Sequence, residues 1–245
     1  MTGRKFINKN NLYILILFVF SIFVNSYYAN LGALPVDTFL HFDLGFKILE
    51  GLIPFSDVWM VSGIIVNYIQ ALFFYILGIS WTSYVLHGSI INCVVTLSTY
   101  FLLKNFKIHT NYCFIYSIFF SILAYPSSGT PFVDHHSTFF SLLGIYSLLA
   151  AIKSDKKIFW ILIPIFFGMG FLSKQVPTSY IALSVFIILI FYAFLQKKME
   201  FIKFIIFCLI IFLFFIFIGG FLAGIKFENF FNPVSYTHLT LPTKA

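Results

Sequence analysis

Charge is scarce in this chain: only 9% of its 245 residues are Asp, Glu, Lys or Arg, while 60% are hydrophobic and the mean hydropathy is +0.98. Too few polar residues remain to cover a soluble domain of this size, which excludes a water-soluble enzyme or binding module. Cysteine is scarce as well. Cys93, Cys113 and Cys208 are odd in number, lie in apolar runs and show no CxxC spacing, so they read as small core residues with no disulfide or metal site implied. Arginine is nearly absent, and the net charge of +7 comes from lysines in short clusters between apolar runs. Membrane-topology determinants sit in such places, so no nucleic-acid partner is expected.

What the chain has in quantity is apolar runs near the ~20 residues that cross a bilayer. They fall near residues 11–28, 62–79, 82–103, 109–125, 138–152, 158–173, 178–196 and 201–224. The expected fold class is an all-α polytopic membrane protein, because backbone groups in hydrocarbon must be satisfied within helices. The run LYILILFVFSIFV after Arg4, Lys5 and Lys9 resembles a signal peptide, but no small-x-small cleavage site follows in VNSYYANLG. An uncleaved first span is expected.

Lysine sidedness counts the crossings. If all eight runs span, the lysines of KNFK (104–107), KSDKK (153–157) and QKKMEFIK (196–203) fall outside, inverting the positive-inside rule. If 62–79 does not cross, Arg4, Lys5, Lys9, Lys104, Lys107, Lys153, Lys156, Lys157, Lys197, Lys198 and Lys203 all lie inside, against Lys47, Lys174 and Lys226 outside. The segment SGIIVNYIQALFFYILG is itself short, and Asn67 and Gln70 stand three apart on one helical face. Seven transmembrane helices with a cytoplasmic N-terminus are expected.

That count gathers the acids. Asp37, Asp43, Glu50 and Asp57, half of the eight acidic residues, lie in VDTFLHFDLGFKILEGLIPFSDVW (36–59), and Asp134 lies in YPSSGTPFVDHHS (125–137). With Glu228, six of the eight face outward together. Phe39, Phe42, Phe46 and Leu49 recur at helical spacing opposite Asp43, Lys47 and Glu50. This predicts an amphipathic helix in the interface, begun at Asp37 and ended at Gly51. With 62–79 as its partner, the first extracytoplasmic loop carries two juxtamembrane helices.

The last residues stand apart. VSYTHLTLPT (234–243) is translated, residue for residue, from GTC TCT TAT ACA CAT CTG ACG CTG CCG ACG, a string resembling a transposon-end sequencing adapter. Residues 234–245 are therefore expected not to be native, which removes His238 from consideration. Residues 1–233 are expected to form one transmembrane module, incomplete at its C-terminus.

The stretch from Val36 to Gly78 resembles the first outer loop of the GT-C superfamily of polyprenyl-phosphate-sugar glycosyltransferases. The likeness is to the bacterial branch related to protein mannosyltransferases and lipid A aminoarabinose transferases. The pattern is an acid after the first span, an amphipathic helix, G-x-x-P-[YF]-x-D and a Gly-Pro-rich helix ending in Gly. Here it falls on Asp37, Gly51, Pro54, Phe55, Asp57, Gly63 and Gly78, with SGII in place of Gly-Pro. Further matches are Pro126, Asp134 and Lys174 in GFLSKQVPTSY, and the likeness covers about residues 10–225. It implies a membrane glycosyltransferase in the bacterial inner membrane, with its active site extracytoplasmic. A polyprenyl-phosphate sugar would be the donor and the acceptor is unspecified. No cofactor is implied, and a divalent metal is left open.

The chemistry suits these residues. Sugar transfer from a lipid phosphate needs a carboxylate base for the acceptor hydroxyl and positive charge at the departing phosphate. From spacing, Asp37 either caps its helix or caps it and also catalyses; the resemblance implies catalysis. Asp43 faces Lys47 at i,i+4 as a surface ion pair. Asp57 either fixes a turn or meets the donor. Adjacent His135 and His136 point ~100° apart on a helix, which disfavours one shared metal. They are expected, with Asp134, to hydrogen-bond substrate or Asp37. Lys174 has no acid nearby in sequence, so it either meets the donor phosphate or snorkels to lipid headgroups.

Two other function classes remain in view. A transporter or flippase would place ionisable residues in mid-span and show repeated halves, and neither feature is visible. A non-catalytic assembly subunit would not need carboxylates gathered in one loop.

Overall fold

The computed structural model describes residues 8–33, 35–60, 62–124, 129–154, 156–222, 224, 225 and 228. Arg4, Lys5, Pro126, Lys226 and the 234–245 tail lie outside the described residues. Nine helices occur among those described. They are α1 (Lys9–Ala29), α2 (Pro35–Leu49), α3 (Ile65–Leu77), α4 (Trp81–Asn105) and α5 (Thr110–Leu123). There follow α6 (Val133–Ser154), α7 (Lys157–Ser173), α8 (Gln175–Leu195) and α9 (Glu200–Leu222).

Five of these, α1, α4, α6, α8 and α9, are long and apolar enough to cross a membrane, while α3, α5 and α7 are shorter apolar helices of 13, 14 and 17 residues. Local chemistry sets several boundaries. Asn8, Ser80 and His109 accept backbone N–H groups at the starts of α1, α4 and α5, satisfying donors the helix cannot. Gly51 after α2 and Gly78 after α3 both have positive φ, which a side chain would resist.

Connectivity sorts the helix termini into two ends. At one, Tyr100 Oη donates to Asn10 Oδ1 (2.6 Å) and Tyr13 Oη to Asn111 Oδ1 (3.1 Å), joining α1, α4 and α5. A cavity there brings Asn105 together with Ser154 and Lys156, and Trp160 stacks on Phe201. Lys104, Lys107, Lys153, Lys156, Lys157, Lys197, Lys198 and Lys203 belong to this end. At the other, Asn25 Nδ2 donates to Gly129 O (2.7 Å) and Tyr84 Oη to Thr38 O (2.7 Å). The acids of the first loop and Asp134 belong there.

α3 touches only the acidic end at both its termini. Gly63 N donates to Ser173 O at the close of α7, and Gly78 O accepts from Ser83 at the opening of α4. Thirteen residues of helix rise ~20 Å, short of a ~30 Å hydrocarbon core. Gly63 is required where it stands, since a Cβ would lie 1.8 Å from the Leu172 carbonyl oxygen.

The structure sets which faces of α2 and α3 are buried, and for α2 it differs from the face expected from spacing. Asn67 and Gln70, three apart on one face of α3, are fully buried, and Leu72, Tyr75 and Ile76 are exposed. A helix sided this way is polar toward protein and apolar toward its surroundings, the arrangement lipid favours. In α2 the buried seam is Thr38, His41, Leu44 and Gly45, whereas Phe39 is 55% exposed. Gly45 explains the seam, because a Cβ there would come within 2.6 Å of the Gln70 side chain. α2 also begins at Pro35, two residues before the expected start.

Apolar packing holds the rest. Leu148, Ala151, Trp160, Ile163, Leu189, Ala193, Ile202 and Ile205 form a buried cluster among α6–α9, and Val95, Phe139, Phe140 and Leu143 join α4 to α6. Small residues permit close approach. Gly144 meets Phe167, and Gly170 meets Thr178.

Candidate functional site

The first turns of α2 and α6 and the α7–α8 junction converge at the acidic end. Asp37 lies in the first turn of α2 rather than at its cap, is exposed, and makes no hydrogen bond or ion pair among the described residues. A carboxylate here suits the helix N-terminus and is otherwise uncommitted.

One turn on, buried His41 lies 3.2 Å from Asn67 Oδ1, to which its Nδ1–H donates. Burial lowers the imidazole pKa below its usual value, while the Asn67 hydrogen bond and the charges of Asp37 and Asp134 pull it upward. His41 therefore feels both carboxylates, one from each element.

Asp134, in the first turn of α6, accepts from Lys174 Nζ at 2.6 Å, with side-chain exposures of 43% and 40%. The lysine that had no acid nearby in sequence thus has one in space, 40 residues away. Its backbone is gripped too: Ser137 Oγ donates to Lys174 O (3.0 Å). α6 so holds the α7–α8 junction by side chain and main chain together.

Asp57 fixes a turn. Its Oδ2 accepts from Ile53 N (2.9 Å), and Phe55 there adopts φ +62°. No contact joins Asp57 to Asp134 or Lys174 among the described residues. The same turn does border an apolar cavity of about 600 Å3, in which Phe55, Ile64, Tyr68, Leu172 and Thr178 meet side chains of α9 such as Phe212.

The two adjacent histidines part company. His135 is half-buried and its ring lies near those of Phe132 and Phe139. His136 is fully buried and bonds Phe132 O (2.9 Å) and His87 Nε2 (3.1 Å), not Asp37. His87 Nδ1 lies 2.8 Å from the Gln70 side-chain amide. These contacts have one consistent direction for neutral rings. Phe132 O only accepts, so His136 Nδ1 carries the proton and its bare Nε2 takes one from His87. The bare Nδ1 of His87 then needs a donor, which turns the NH2 of Gln70 toward it.

Sequence reasoning missed His41, His87, Gln70 as a bundle-facing residue, and Tyr84, which ties α2 to α4 through Thr38 O. Lone polar residues in apolar runs gave the only signal. The structure brings Asp37, Asp134 and Lys174 to one end with His41 among them, places His136 beneath, and leaves Asp57 in its own turn.

A family model described as dolichyl-phosphate-mannose-protein mannosyltransferase matches residues 61–218, more than half of the chain. Asp134, His135, His136 and Lys174 fall within the matched residues, while Asp37 and Asp57 precede them. Neither the curated proteins nor the solved structures hold a match.

Proposed function

The chain belongs to the dolichyl-phosphate-mannose-protein mannosyltransferase family, membrane glycosyltransferases of GT-C type, and from that premise we propose that it transfers a sugar, with inversion, from a polyprenyl-phosphate donor to an extracytoplasmic acceptor. The observation that supports this best is the acidic end itself. A carboxylate without a hydrogen bond or ion pair among the described residues, Asp37, and the Lys174–Asp134 pair belong to that end, linked through His41, and Leu172 and Thr178 on either side of Lys174 line an apolar cavity large enough to take part of a lipid chain.

In this reading the acceptor oxygen attacks the anomeric carbon, and the bond from that carbon to the phosphate oxygen breaks. The electron pair leaves with the polyprenyl phosphate, and the acceptor proton goes to Asp37. Lys174, paired with Asp134 until the donor arrives, stabilises the negative charge gathering on the phosphate. In this reading the lysine supplies the positive charge at the departing phosphate. His41 and its Asn67 partner fix the floor under Asp37, and the His136–His87–Gln70 chain fixes the start of α6. Asp57 holds the turn at the cavity mouth.

Seven helices cross in this arrangement, α5 and α7 included, with α2 and α3 lying at the outer surface. The lysine-bearing end faces the cytoplasm of a bacterial inner membrane, in keeping with the positive-inside rule.

The test is Asp37→Asn in a transfer assay with polyprenyl-phosphate sugars. Asparagine keeps the shape and is a far weaker base, so transfer falls at least ~100-fold while donor binding is retained. Near-normal turnover would remove Asp37 from catalysis.

A further inference from the structure

At the lysine-bearing end, opposite the proposed transfer site, α1, α4 and α5 surround an open cavity of about 540 Å3. Three asparagines (Asn8, Asn10, Asn111), two lysines (Lys9, Lys104), His109 and Thr110 line it, with no carboxylate among the described residues.

The hydrogen bonds around this cavity are lopsided. Asn8 Oδ1 accepts from Asn10 N (3.1 Å), Asn10 Oδ1 from Tyr100 Oη (2.6 Å), and Asn111 Oδ1 from Tyr13 Oη (3.1 Å). Thr110 Oγ1 accepts from Lys104 Nζ (2.7 Å), and His109 Nδ1 from Asn111 N (3.4 Å). Each of these five side chains has an acceptor already engaged. What is left over is donors: three side-chain NH2 groups, the Nε2–H of His109, the Thr110 hydroxyl and the remaining ammonium protons of two lysines. The starts of α1 and α5 add partial positive charge to the same place.

We infer that this cavity binds a phosphate group. A tetrahedral oxyanion offers acceptors in several directions and up to two negative charges, matching a rim of donors and two lysines; a carboxylate offers two oxygens and one charge. Lysine sidedness alone does not account for the site. Helix capping and the ties between α1, α4 and α5 use the carbonyl oxygens of the three asparagines, and a topology signal uses the lysine charge; neither uses the three side-chain NH2 groups of these cavity-lining residues. Because three helices end here, the cavity lies at the surface of the bundle. The phosphate is then either the headgroup of a phospholipid in the adjoining leaflet or a soluble phosphate.

The experiment uses the whole chain in a maltoside detergent, which carries no phosphate. Inorganic phosphate is titrated by calorimetry, and phosphatidic acid against the matching diacylglycerol is compared by native mass spectrometry. Binding of inorganic phosphate points to the soluble source, and retention of phosphatidic acid alone to the headgroup. In either case Lys9→Gln and the near-isosteric Asn111→Asp, which still accepts from Tyr13, weaken binding by on the order of ten-fold or more. Lys153→Gln, which removes the same charge from the same end outside the cavity, leaves it unchanged. The inference is overturned if neither phosphate form binds. It is equally overturned if Lys153→Gln weakens binding as much as Lys9→Gln, since the lysines would then act only as diffuse charge.

Discussion

Lys174 Nζ donates to Asp134 Oδ1 across 2.6 Å, joining the first turn of α6 to the junction of α7 and α8. Both side chains remain about two-fifths exposed, so water screens the pair and its worth to stability is ~0–1 kcal/mol. A contact so weak energetically, set beside an apolar cavity, suits a lysine kept in position for another anion.

The two partners therefore give opposite results in donor binding. Lys174→Gln weakens affinity for a polyprenyl-phosphate sugar, because the cation is gone. Asp134→Asn preserves or strengthens it, because the lysine is released from its carboxylate. Neither variant shifts the melting temperature appreciably. Equal losses of affinity in both would make the pair a structural clasp.

Gly63→Ala destabilises the protein. A Cβ would meet the Leu172 carbonyl oxygen at 1.8 Å, and backbone at that distance cannot yield without moving the end of α7. The expected loss is ~1–3 kcal/mol, read as a lower melting temperature in detergent. Gly32→Ala, with nothing among the described residues within 4 Å of the new methyl, is the matched control and leaves the transition unmoved.

His41 makes stability depend on pH. Burial lowers its folded pKa beneath the usual 6.5, so between those two values the unfolded chain binds more protons than the folded one. Its contribution is complete above about pH 6.5 and is lost as the pH falls through the folded value. Melting curves at pH 7.5 and about pH 5 should show a larger drop for the native protein than for His41→Gln. Identical drops would show that His41 is not the group responsible.

Crossing number is open to labelling. In a background without cysteine, Ser56→Cys reacts with an impermeant maleimide from outside, and Lys107→Cys reacts only after permeabilisation. Outside labelling at both positions would mean that α3 crosses.

Much of this was legible in the sequence. The helices lie within a few residues of the apolar runs, and Asp43 and Lys47 pair at 2.7 Å as their i,i+4 spacing requires. The gathering of acids in the first loop was visible as composition alone. The buried seam of α2 was not, because spacing pointed to Phe39, Phe42, Phe46 and Leu49, whereas Thr38, His41, Leu44 and Gly45 are the residues buried. In a helix bundle within lipid the polar side is the protein, which is why Asn67 and Gln70 turn inward to His41 and His87. Pairings across long stretches of chain were hidden for a different reason. Lys174 finds Asp134 forty residues away, and no local spacing announces that distance.

The siding of α3 also bears on the order of biosynthesis. Its inward residues are answered by His41 on α2, by His87 on α4 and, through Gly63, by Ser173 at the end of α7. The last of these emerges from the ribosome 110 residues after Gly63. Until then the 62–79 segment has apolar side chains suited to lipid and amides that are not, and no complete seat for either. It must wait at the membrane surface while four more helices are made, and its docking is a late step that closes the bundle. Chains halted before Ser173 should hold this segment open to protease, and chains carried past it should shield it.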